Sequence, residues 1–173
     1  MAGERVAGSD FRAGADAVRL AGMLSEVFVA ASDDAARAYL HTGAAVAGVE
    51  DVVETTELTS VEIDLLESVL TGRPLRDVVR EEGGGVLAYA GDQGPWVMDV
   101  HLELTDALVA LAGEPGERVA AAAAAWGKHT ELAEADPDDV LALLEELVGL
   151  AVTAREQGGE LYLWNALEPD VSG

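Results

Sequence analysis

The stretch PWVMDVHLELTDAL, beginning at Pro95, sets three groups capable of acid–base chemistry two residues apart: Asp99, His101 and Glu103. In an extended strand alternate side chains share a face, so these three fall on one side and Trp96, Met98, Val100 and Leu102 on the other. A carboxylate–imidazole–carboxylate row suits proton transfer, because imidazole titrates near neutrality and a neighbouring acid can fix its tautomer. Covalent catalysis needs, in addition, a nucleophile within hydrogen-bond reach of the base. The strand has no Ser or Thr to supply one, and LELTDAL reads as the start of a helix that turns Glu103 away. Apolar residues toward helices and polar ones toward water is the ordinary pattern of a half-buried antiparallel strand. The reading is a solvated face. Asp99, His101 and Glu103 stand as an alternative polar site, and no catalytic residue is assigned.

Other groups are explained the same way. The aspartates of ADPDDV have the spacing of a cation cluster, but they are also what a helix N-terminus selects, and no phosphate loop accompanies them. In WGKHTEL, helical spacing puts His129 beside Trp126 at the edge of a core. The histidines, His41, His101 and His129, lack paired-ligand spacing, and the chain has no cysteine, so no metal site is expected. EEGGG lacks the spacing of a dinucleotide or phosphate loop, and no GxSxG occurs. No cofactor is expected.

Charge is the strongest compositional signal. Thirty-three Asp and Glu against ten Lys and Arg give a net charge of −23, and Lys128 is the chain's single lysine. Phosphate recognition requires clustered cations, so nucleic acid and anionic membranes are excluded as partners. Two windows carry acids and no base: seven carboxylates from Glu50 to Glu67, and seven more from Glu131 to Glu146. Charge runs usually form solvated faces. If the loop before Thr59 is exposed, Glu50, Asp51, Glu54 and Glu57 form a negative surface fit for a basic protein partner.

The elements that must position these groups follow from periodicity and caps. SEVFVAAS reads as a strand running into a helix capped by Ser32, with Asp33 and Asp34 in its first turn. HTGAAVAGVEDVVETTE reads as irregular. Thr59 and Glu62 have capping-box spacing for a helix stopped by Gly72, and PLRDVVREE adds a short helix broken at Gly83. VLAYA and WVMDVH form a hairpin through GDQGP, followed by helices over ELTDALVALAG and the alanine-rich stretch after Pro115. Asp136, Pro137 and Gly158 bound the clearest helix. ELYLWNAL is apolar on both faces and belongs in a sheet interior.

The spacing predicts an α+β fold: one small mixed or antiparallel sheet of about four strands packed against about five helices. Residues 1–20 read as a flexible or weakly helical extension, 21–168 as a single domain and 169–173 as a tail. With no apolar leader and no long apolar run, the chain reads as cytoplasmic. In element order, SEVFVAASDDAARAYL, LTSVEIDLLESVLTG, WVMDVHLELTDALVAL and LEELVGLAVTAREQGGELYLW resemble the YfbM-like group of uncharacterised bacterial proteins. That resemblance implies a compact αβ domain and carries no functional residue.

The leading functional expectation is a non-enzymatic protein that binds a basic partner through acid, in the manner of a neutraliser of a toxin or nuclease. The alternatives are a small enzyme or ligand-binding protein with a pocket between sheet and helices, using His101 or His129, and an acidity that reflects only solubility or salt adaptation. Oligomeric state is not legible.

Overall fold

The computed structural model describes residues 22–56, 58–79 and 85–167, and at Thr130 and Glu131 the backbone alone. The expected extension, Glu57, Gly83 and the tail lie outside the described residues.

Five strands form one sheet: β1 (Met23–Ala30), β2 (Val52–Thr56), β3 (Val86–Tyr89), β4 (Trp96–Asp99) and β5 (Glu160–Leu167). Their order is β2-β1-β5-β4-β3, and every neighbouring pair is antiparallel. The helices are α1 (Asp33–Arg37), α2 (Ser60–Thr71), α3 (Leu75–Val78), α4 (Leu102–Ala112), α5 (Gly116–Trp126) and α6 (Pro137–Gln157), with a 3-10 turn at Thr130–Glu134. The α+β class is as expected, with one more strand and one more helix than the sequence reading counted. The added strand, β2, lies in the stretch read as irregular. Its VVETT sequence carries little pattern of its own, and pairing with β1 extends it, Val53 opposite Val27 and Thr55 opposite Ser25.

Local signals placed the helix ends. Ser32 accepts the Ala35 N–H at the start of α1, Thr59 and Glu62 close a capping box on α2, and Asp136 accepts the Asp138 N–H ahead of Pro137 on α6. Helices α2 and α6 both end at left-handed glycines, Gly72 and Gly158.

Alternation along the strands divides the core in two. Val27, Val29, Leu161 and Leu163 point toward α2, α4, α5 and α6, where they join Leu66, Leu104, Trp126, Leu144 and Leu147. Phe28, Val97, Tyr162 and Trp164 point the other way, against α1 and the segment leading to β2. Strand β5 is therefore central and buried on both faces, as its composition requires. Its Asn165 side chain donates to Ser25 Oγ at 3.1 Å and to the Leu58 carbonyl at 2.9 Å, tying the exit of β2 to the sheet's middle. Among the described residues, no helix is long and apolar enough to cross a membrane.

Candidate functional site

At one end of the sheet, carboxylates converge from four segments. Strand register sets Glu160, at the start of β5, opposite Ala30, and the Val29 N–H donates to the Asp51 carbonyl. These pairings bring the loop that carries Glu50 and Asp51 to the same end. Asp33, at the start of α1, accepts a 2.9 Å hydrogen bond from the Tyr162 hydroxyl, and Asp99 ends β4 opposite Tyr162. Burial, followed by that bond and the fields of Asp33, Glu160 and Asp99, pushes the buried Tyr162 phenol well above its ordinary range.

Of the sequence-predicted acidic patch, Glu50 is exposed and Asp51 half-buried, its carboxylate accepting from Gln157 Nε2 at 2.9 Å. Glu54 lies farther along β2, exposed and opposite Glu26. The structure adds Asp33, Asp99 and Glu160. Sequence separation hid this rim, because the sheet register assembles it.

The row Asp99, His101, Glu103 is not a strand face. Strand β4 ends at Asp99, Val100 turns into the core, and His101 occupies the position before α4. That turn sends His101 toward the helices, while Asp99 keeps to the α1 side. The solvated-face reading therefore fails for His101, whose side chain is 14% exposed and whose Nδ1 lies 2.5 Å from Glu67 Oε1. Glu67, on α2, is fully buried, and its other oxygen accepts from Arg73 Nη1 at 3.2 Å.

Glu103 is exposed in the first turn of α4. Glu67, His101 and Glu103 offer ligand atoms within 4.8 Å of one another, donor types that a divalent cation accepts. Glu67, however, already pairs with Arg73 and meets His101 directly, so a cation here would compete with the Arg73 guanidinium and would have to come between Glu67 and His101.

The nearby hydroxyls show what this cluster does. Thr71 Oγ1 donates to the Glu67 carbonyl, Ser68 Oγ to the Arg73 carbonyl and Thr105 Oγ1 to the His101 carbonyl. Each donates to backbone. Arg73 also donates to the Asp77 carbonyl at 2.8 Å. The group ties the end of α2 to α3 and to the start of α4. It is a latch.

Glu26 is a second inward carboxylate. Its Oε1 accepts the Ala44 and Ala45 N–H groups at 2.7 and 3.1 Å, holding the segment before β2 against the sheet. Burial raises its carboxyl above the ordinary value despite those two bonds, and Glu54 adds to the rise. His129, expected at a core edge, is exposed, because α5 ends at Trp126 and the chain leaves helical spacing.

Cavities lined by described residues include two against α6. One of about 390 Å³ lies between α5, the 3-10 turn and the start of α6. The other, about 230 Å³, lies between the β2 edge and α6. Neither is lined by His101 or His129. Compared with family models, curated proteins and solved structures, the chain matches none.

Proposed function

We propose that the protein is a non-enzymatic binding protein that meets a basic protein partner through the acidic rim at the end of its sheet, as a neutraliser of a basic toxin or nuclease would. The observation that carries this reading is the convergence of Asp33, Glu50, Asp51, Asp99 and Glu160 from four segments of chain. Such a surface steers a cationic partner into encounter and fixes its orientation. The buried ionisable groups support the reading from the other side, since Glu26 and Glu67 hold elements together and Glu62 closes the cap of its own helix.

Capture of partners from the native host, at low and high salt, tests it. A basic protein should be retained at low salt and released at high salt, since exposed charge pairs are screened. Glu50→Lys combined with Asp51→Lys should weaken retention at least about tenfold, as charge reversal at a steering surface does. Glu145→Lys combined with Glu146→Lys, on the exposed face of α6, should weaken it far less. Equal effects of the two reversals would make the acidity a general property of the surface and overturn the proposal, as would the absence of any basic partner.

A further inference from the structure

The larger cavity carries a second and independent reading. Its wall on α5 is Ala120, Ala123 and Ala124, and its wall on α6 is Val140 and Leu141. Alanine side chains are too short to fill the gap between the two helices, whereas at Gly127 the helices close. A Cβ there would meet the Ala123 carbonyl at 3.2 Å and a Val140 methyl at 3.5 Å. Buried Ala123 and Val140 make the floor apolar. A volume of about 390 Å³ falls in the range of small-molecule sites, which combine an apolar lining with a few polar groups that orient the ligand.

Here the polar groups are Lys128 and Asp138. Both are exposed and both line the cavity, so they stand at its mouth. Among the described residues Lys128 makes no ion pair, although it is the single lysine of a chain with a net charge of −23. Asp138, exposed in the first turn of α6, lines the same cavity. A cation and an anion beside an apolar recess complement a molecule with a carboxylate, an ammonium and an apolar body. A simple anion would face the aspartates of the α6 N-terminus, and a simple cation would face Lys128.

We propose that this cavity binds an apolar α-amino acid as its zwitterion, with the carboxylate on Lys128, the ammonium on Asp138 and the side chain among the α5 alanines. Leu132 of the 3-10 turn lines both this cavity and the smaller one.

Titration of the full chain by calorimetry tests the proposal with L-leucine and L-phenylalanine as probes. Saturable binding of at least one is expected. Glycine, 4-methylpentanoate and isoamylamine should each bind at least about tenfold more weakly, because each lacks one of the three contacts. Lys128→Gln and Asp138→Asn should weaken the amino acid by a similar factor. Ala124→Leu should abolish binding by filling the recess, with the circular dichroism spectrum unchanged. If that variant fails to fold, the two surface variants carry the test alone. Absence of saturation by either amino acid overturns the proposal, as does glycine binding equally well or unchanged affinity in both charge variants.

Discussion

On the helix-covered side of the sheet, the buried Glu67 carboxylate meets ionisable side chains, His101 and Arg73. On the opposite side, the hydrogen bonds that the buried Glu26 carboxylate accepts from described residues come from backbone N–H groups, those of Ala44 and Ala45. The difference follows from what covers each face. Among the described residues, twenty-one buried apolar residues and four helices pack the first, and seven buried apolar residues with one short helix pack the second. Helices bring side chains of either charge to meet a carboxylate. An irregular segment has little beyond its own amide groups, and there a carboxylate serves as the anchor for N–H groups that lack a strand partner. A buried acid is thus a bridge between regular elements on one face and a substitute for secondary structure on the other.

The largest expected effect comes from removing the bridge. Glu67→Ala should destabilise the fold by about 3 kcal/mol, since it empties a buried volume and takes the partner from two polar side chains. The loss is tempered because half-exposed Arg73 can turn to water. Urea denaturation measures it, and a change below about 0.5 kcal/mol would show the latch to be idle.

Removing the anchor should cost less. Glu26→Ala leaves the Ala44 and Ala45 amides unsatisfied, worth about 2 kcal/mol. Amide hydrogen exchange should quicken across residues 39–49 before it quickens in α2. Uniform acceleration throughout the chain would erase the contrast between the two faces.

The smallest effect is the sharpest. Burial raises the Glu26 carboxyl, so the folded state binds this proton more tightly than the unfolded state does. Ionisation of Glu26 therefore costs stability as pH rises through the interval just above the ordinary carboxylate value, and acidification through that interval returns it. Glu26→Gln cannot titrate but keeps an oxygen for the two amides. The stability of Glu26→Gln relative to wild type should rise with pH across that interval and level off above it. A difference independent of pH would mean that the carboxylate is solvated in the fold.

The sequence made the regular elements legible because their signals are local. Ser32, the Thr59–Glu62 pair and Asp136 each cap the helix that their neighbours announce, and the doubly apolar ELYLWNAL stretch is buried where that pattern requires. The site residues were less legible because their partners are distant. His101 meets Glu67 across 34 residues, after a strand that ends two residues earlier than alternation suggested. The rim depends on register between strands, which assigns Asp51 and Glu160 to one end of the sheet. Cavities depend on where helices fail to touch, and an alanine run by itself speaks equally for close packing.

The position of β5 has a consequence for how the chain comes into being. The hydrogen-bonded pairs β1–β2 and β3–β4 can each form early, yet neither touches the other until residues 160–167 slide between them. Before residues 160–167 are in place, neither ribbon has a partner for its inner edge, and an isolated two-stranded ribbon is only marginally stable in water. Final assembly waits on long-range closure, a slow event that leaves strand edges open to wrong pairing while it lasts.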